Sequence, residues 1–175
     1  MINHTFNQVS PHVHWLSPDS TTDRPVLGVI SGARCSLLVD AGNSAAHARV
    51  LLQEIKRCDL PAPAFLFLTH WHWDHVFGAE RLSLTAFAHH ETVRIVERMA
   101  GFDWDDAALD QRVDEGLEIA FCRDMLKAEL PDRSNLFIRP PEIALDQQMT
   151  VSEQGHQEPV YQDFLADDLP ADERF

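Results

Sequence analysis

The chain has 175 residues, 45% of them hydrophobic, and a formal net charge of −14. Length and apolar content suit one domain with an ordinary core and exclude a chain disordered throughout. The negative charge leaves generic attraction to phosphate backbones or anionic lipid surfaces without electrostatic footing, so neither nucleic acid nor membrane is an expected partner.

Short β-type runs open the sequence: "HVHWL", "VLGVI" and "CSLLVD", with Ser31-Gly32-Ala33-Arg34 as a turn between the last two. These predict antiparallel neighbours. Asn43-Ser44 reads as a helix cap, and Ala45, Ala46, Val50, Leu51 and Ile55 recur at helical spacing through "SAAHARVLLQEIKRC", ending before Pro61. After Pro61 and Pro63, "AFLFLT" is short and continuously apolar, as expected of a strand covered on both faces. "LTAFA" predicts another strand, "HETVRIVERMA" a helix closed by Gly101, and "WDDAALDQRVDEGLEIAFCRDMLKAEL" one or two acidic helices. "SNLFIRPPEIALDQQMTV" returns to short strand-like pieces. One domain is expected over residues 1–151, and the acidic residues 152–175 are expected to form a mobile tail.

Cys35, Cys58 and Cys122 are odd in number and widely spaced, which predicts reduced, buried thiols rather than disulfides or a thiolate metal site. The N-terminus "MINHTFNQVS" lacks a basic start followed by an apolar core, and no apolar run reaches the roughly 20 residues of a membrane helix. The expected location is cytoplasmic.

The stretch Thr69 to His75, "THWHWDH", follows directly on the apolar strand. In an extended segment, side chains alternate, so His70 and His72 project to one side while Trp71 and Trp73 project to the other. Two imidazoles can then share one metal ion. A turn after Trp73 lets Asp74 and His75 offer a mixed oxygen and nitrogen pair to a second, a set that suits Zn²⁺, with Fe or Mn as substitutes. The bland alternative is a histidine-rich surface loop, but four ligand-type side chains at the end of a buried strand favour metal binding.

"THWHWDH" resembles the His-x-His-x-Asp-His motif of the metallo-β-lactamase-fold hydrolases, and "LLVDAGN" is similar to the strand and Asp-x-Gly turn that precede it there. The resemblance spans about residues 8 to 151, closely as far as Gly78. It implies an α+β fold, a four-layer αβ/βα sandwich whose first half is complete here and whose second half is partial, as if the chain were truncated. It also implies a zinc-dependent hydrolase that uses metal-activated water, with one or two metal ions. His70 and His72 would serve the first ion, and Asp74 and His75 the second. Asp74 would orient the attacking water, and Asp40 would hold a ligand imidazole or the motif loop in position. A turn aspartate before Gly42 is an equally good reading of Asp40.

In that family a Gly-His motif, a bridging aspartate and a final histidine complete the two sites. Of the seven glycines only Gly155 is followed by histidine, in the context "GHQEP", so His156 is a weak candidate ligand. The substrate expected is a small molecule of ester, thioester, lactone or lactam class. The competing reading is a non-catalytic remnant, or a module that binds a metal or partner without turnover. A partial second sheet would leave strand edges exposed, which favours homo-oligomers formed through those edges.

The other histidines have ordinary explanations. His89 and His90 fit a helix start, His12 and His14 are structural, and His47 fits a surface or cap-region position. Trp71 and Trp73 are expected to pack in the core more than to wall a pocket. The charged run from Asp103 to Glu118 reads as a solvated helix face.

Overall fold

The computed structural model describes residues 4–146. The acidic segment 152–175, the domain limit at 151 and His156 lie outside the described residues. Strand β1 (Phe6–Ser10) turns through Pro11-His12 into β2 (Val13–Leu16), and β3 (Leu27–Ser31) and β4 (Ser36–Val39) continue the antiparallel meander. Helix α1 (Ala45–Arg57) crosses over to β5 (Pro63–Leu68), which runs parallel to β4. Two single-turn helices follow, α2 (Trp73–Val76) and α3 (Ala79–Leu82), before β6 (Thr85–His89) lies parallel to β5. Then come α4 (His90–Met99), α5 (Asp106–Asp114), α6 (Ala120–Glu129) and β7 (Ile143–Leu145), which pairs in parallel with β6. The seven strands make one sheet whose spatial order is the chain order.

The core lies on one side of that sheet. Leu27 and Val29 of β3, Leu38 of β4, Leu66 and Leu68 of β5, and Ala86 and Ala88 of β6 alternate along their strands and pack with Leu51 and Ile55 of α1 and Ile95 and Val96 of α4. One helix layer and one sheet are thus two layers of the expected four, and no second sheet is present among the described residues. Nor is any described helix long and apolar enough to cross a membrane.

Helix α1 starts where the sequence predicts, because the Ser44 hydroxyl accepts a hydrogen bond from the His47 amide at 3.0 Å. Its buried stripe differs from the expected one. Ala45 and Ala46 are exposed, whereas His47, Ala48, Leu51 and Ile55 face the sheet. Of the two positions expected for His47, surface or cap region, it takes the second: its amide bonds the Ser44 cap, and its ring is fully buried because it stands one turn before Leu51.

Strand β5 also corrects an expectation. Leu66 and Leu68 are covered by helices, but Phe65 on the opposite face is 40% exposed, so among the described residues the strand is covered on one face only. The acidic region resolves into two helices, α5 and α6, separated by Gly116 at φ +75°, a conformation that favours glycine. The cysteines are free, as expected, but half-buried rather than buried. Strand β1, absent from the sequence reading, completes the antiparallel edge.

Helix α6 is tied to the segment before β3 by a buried ion pair. Arg24 Nη2 donates to Glu129 Oε1 at 2.8 Å and Arg24 Nε to Oε2 at 3.2 Å, with side chains only 7% and 3% exposed. The hydroxyls of Ser44 and Thr22 donate to the same carboxylate.

Candidate metal centre

The histidine-rich loop leaves the C-terminal end of β5 and is fixed to the neighbouring turn after β4. The Asp40 amide donates to Phe67 O at 2.9 Å, the Ala41 amide to His75 O at 2.8 Å, and the Gly78 amide to Gly42 O at 2.8 Å. Gly78 packs so closely that a Cβ there would come within 2.1 Å of Ala41 O. Two segments about 30 residues apart are thereby clamped into one floor.

Asp40 is the centre of that clamp. Its backbone is left-handed at φ +63°, and its buried carboxylate accepts from the Thr69 amide (2.8 Å), the Thr69 hydroxyl (2.9 and 3.0 Å) and His75 Nδ1 (2.8 Å). Asp40 is thus both a turn residue and the holder of the loop. The bond to Nδ1 directs the other ring nitrogen, Nε2, toward Asp74 Oδ2 at 3.3 Å. Burial by itself would lower the His75 pKa. The hydrogen bonds to Asp40 and Asp74 outweigh it and raise the imidazole to about 9.

His70 packs against His72 with ring centroids 4.8 Å apart and against His75 at 4.2 Å. Burial, followed by the neighbouring histidine charges, holds the His72 pKa down to about 4, and burial likewise lowers His70. Both are neutral at pH 7, the form in which imidazole ligates metals. The Thr69 hydroxyl lies 2.9 Å from His70 Nδ1 and links that ring to Asp40.

The structure therefore brings His70, His72, Asp74 and His75 together with Asp40 beside them. By chemistry this donor set fits a divalent cation. By geometry it is short of a full site, because among the described residues no three His, Cys, Asp or Glu side chains are gathered so as to hold an ion. His75 in particular has both ring nitrogens engaged by carboxylates.

Beside His72 lies a small cavity of about 30 Å³, room for roughly one water, walled by Trp71, Trp73, Phe102, Trp104, Arg112 and Glu118. Trp73 is buried, as expected, yet both tryptophans also wall this pocket. The Arg112 guanidinium lies 4.8 Å from the Trp104 ring centroid, and its Nη1 donates to Asp103 O at 3.0 Å. Its Nη2 is buried without a hydrogen-bond partner among the described residues. Burial raises the Glu118 carboxyl above the ordinary range. Within the run read as a solvated helix face, these two side chains turn inward.

Asp23, at φ +55°, is a further residue the sequence does not flag. Its carboxyl is raised first by burial and then by the charge of Asp74, which places it beside the motif. Of the remaining histidines, His89 caps α4 by accepting from the Glu91 amide at 3.3 Å. His14 stacks on Phe6, and His12 Nδ1 bonds Ser31 O at 3.0 Å.

A meander running into parallel strands, with this loop at the end of β5, defines a class of protein. The profile of the metallo-beta-lactamase superfamily matches residues 26–162, most of the chain, and the chain belongs to that superfamily. It is similar in fold to the metallo-beta-lactamase FIM-1 from Pseudomonas aeruginosa, solved in a mono-zinc form. The identity is 17%, the TM-score 0.50, and the match covers 55% of this chain and 46% of that one. The metallo-beta-lactamase from Pontibacter korlensis matches at 21% identity and a TM-score of 0.47, over 55% of this chain and 48% of that one. The described residues are thus a partial domain of that fold, and the chain spans about half the length of these structures. No curated protein matches it.

Proposed function

We propose that the loop from His70 to His75 is the first half of a zinc-dependent hydrolytic centre acting on a small molecule of ester, thioester, lactone or lactam class in the cytoplasm. The observation that carries this reading is the mutual packing of three imidazoles and Asp74 at a strand end, held from beneath by Asp40. When bound, a zinc, iron or manganese ion supplies Lewis acidity and makes water acidic enough to be a nucleophile near neutral pH.

The chain's own residues prepare for that chemistry. His70 and His72 present neutral imidazoles to one ion, while Asp74 and His75 offer an oxygen and a nitrogen to the other. Asp40 holds a proton on His75 Nδ1, so Nε2 would be the nitrogen to meet an ion once His75, raised to about 9, gives up its other proton. Asp74, 14% exposed, would orient the attacking water by accepting its proton or fixing its lone pairs. The aromatic cavity next to His72 is small enough to favour only a compact, uncharged group of the substrate.

A second reading, a module that binds metal or a partner without turnover, is favoured by the lack of three converging ligands among the described residues. Hydrolysis of an ester, thioester, lactone and lactam panel with added zinc, run in parallel on His72→Ala, separates the two. Zinc-dependent turnover lost in His72→Ala supports catalysis. Turnover indifferent to that substitution rejects it.

A further inference from the structure

Residues 22–24 are fixed beside the turn that holds the histidine-rich loop. Asn43, fully buried and next along the chain to that turn, donates from Nδ2 to Thr22 O at 2.8 Å and to Asp23 O at 3.4 Å. The Arg24 amide and carbonyl bridge to Asp19 at 2.9 and 3.0 Å. On either side of Asp23, the Thr22 hydroxyl and the Arg24 guanidinium both bond the buried Glu129 carboxylate. Asp23 takes no part: its carboxylate accepts no hydrogen bond among the described residues.

Three features of Asp23 cost stability. Its backbone is left-handed at φ +55°, where any residue but glycine is strained. Its carboxyl is half-buried, which penalises the charged form, and the charge of Asp74 adds to that penalty while His75 opposes it. Asp40 shares the left-handed backbone and is more deeply buried, yet Thr69 and His75 satisfy its carboxylate. Nothing among the described residues compensates Asp23 in that way. Arg24 is its neighbour in the chain, but that charge is paired with Glu129. Local cost that serves no part of the fold is the pattern of a functional position.

We propose that Asp23 is a charge partner of a divalent cation held by the His70 to His75 loop: it sets a second negative charge beside Asp74, and the ion relieves the repulsion between them. The inference rests on the reading of that loop as an ion site and does not need hydrolysis. Asp23 acts through its field and not as a direct ligand, because it completes no set of three converging ligands with Asp74 and His75. The ties of Thr22, Arg24 and Asn43 suit that role, since they fix the backbone that presents the carboxylate.

Calorimetric titration of Zn²⁺ into the full chain tests it, with His72→Ala to locate the ion and Asp23→Asn to remove the charge. Asparagine keeps the size and tolerates left-handed backbone, so Asp23→Asn is expected to fold with a urea midpoint equal to the parent's or above it. Its Zn²⁺ affinity should fall about tenfold, the scale of one unit charge near a divalent ion in a partly solvated site. Added salt should narrow the difference, because it screens the charge that the variant lacks. Glu97→Gln removes a charge from an exposed position on α4 and should leave the affinity unchanged. Equal affinity in the parent and Asp23→Asn overturns the proposal, and so does an equal fall in Glu97→Gln. A fall in affinity that comes with a lowered urea midpoint overturns it too, since Asp23 would then serve the fold. A parent that binds no Zn²⁺, or binds it as well with His72→Ala, rejects the ion reading of the loop itself and this inference with it.

Discussion

Asp40 Oδ2 lies 2.8 Å from His75 Nδ1, and the same carboxylate holds the Thr69 amide and hydroxyl, so one buried side chain fixes both ends of the histidine-rich loop. Asp40→Asn keeps the size and removes the charge. Burial, then opposed by Asp74 alone, lowers His75 from about 9. Zinc affinity falls about 10- to 100-fold, as when a carboxylate behind a ligating histidine is removed. A proton NMR titration of the His75 ring and zinc calorimetry on the same variant read the two effects. An unmoved His75 titration would show that Asp40 does not govern that ring.

Catalytic zinc normally has three protein ligands, and the described residues offer two imidazoles to one position and a carboxylate with one imidazole to the other. The chain is therefore expected to retain less than one tightly held zinc per molecule after exhaustive dialysis. Elemental analysis by mass spectrometry gives the count, and His72→Ala should reduce it further. A full stoichiometric zinc that withstands dialysis would contradict the expectation.

Gly78 is the contact point between the loop and the turn after β4. A Cβ there meets Ala41 O at 2.1 Å and Ala48 Cβ at 3.1 Å, and the first of these is backbone that has no rotamer to change. Gly78→Ala must push α3 and the loop off the turn and is expected to cost about 1–3 kcal/mol. Urea unfolding measures that loss. Because Ala41 and His75 share a backbone hydrogen bond, zinc binding should weaken in the same variant.

Glu129 sits 3% exposed with Arg24 at 7%, and removing one partner leaves the other charge buried without compensation. Glu129→Ala is expected to destabilise the protein by about 3–5 kcal/mol, far more than a surface ion pair would. It also frees the hydroxyl of Ser44, the cap of α1. Equilibrium denaturation gives the magnitude, and amide exchange at His47 tells whether the cap loosens with it.

The sequence made legible what lies close together along the chain. His70, His72, Asp74 and His75 fall within six residues, and Asp40 is marked by its turn before Gly42, so their meeting at one strand end could be read in advance. Ser44 announced α1 because capping is a local event. What local reading missed depends on which layer covers a residue. Phe65 lies in a continuous apolar run, and only the absence of a layer on its side, among the described residues, leaves it exposed. Strand β1, "FNQVS", is too polar to read as a strand and is defined by its pairing with β2. Asp23, Arg112 and Glu118 reach the site from a loop and from the α5 region through tertiary packing, which no spacing along the chain encodes.

His47 is fully buried at the start of α1, stacked on His4 with ring centroids 5.0 Å apart, and neither ring nitrogen has a hydrogen-bond partner among the described residues. Burial, and after it the charges of His4 and Arg24, lowers its pKa from 6.5 to about 3. The unfolded chain therefore binds a proton that the folded chain refuses between these values. Stability from this group is complete above pH 6.5 and declines as pH falls, by at most about 1.4 kcal/mol per unit. His72, at about 4, and His70, also lowered, act in the same direction. His75, raised to about 9, acts in another window: it stabilises the fold fully below pH 6.5 and loses that contribution as pH rises toward 9. Below pH 6.5 the three depressed histidines lower stability as pH falls, and the raised carboxyls of Glu118 and Asp23 act in the opposite direction. His47→Leu fills the same buried position with an apolar side chain that cannot titrate. Urea midpoints at pH 7.5 and pH 5 should differ less in His47→Leu than in the parent, with the gain concentrated at the acid end. Equal pH dependence in the two proteins would mean that His47 takes up its proton in the folded state as readily as in the unfolded one.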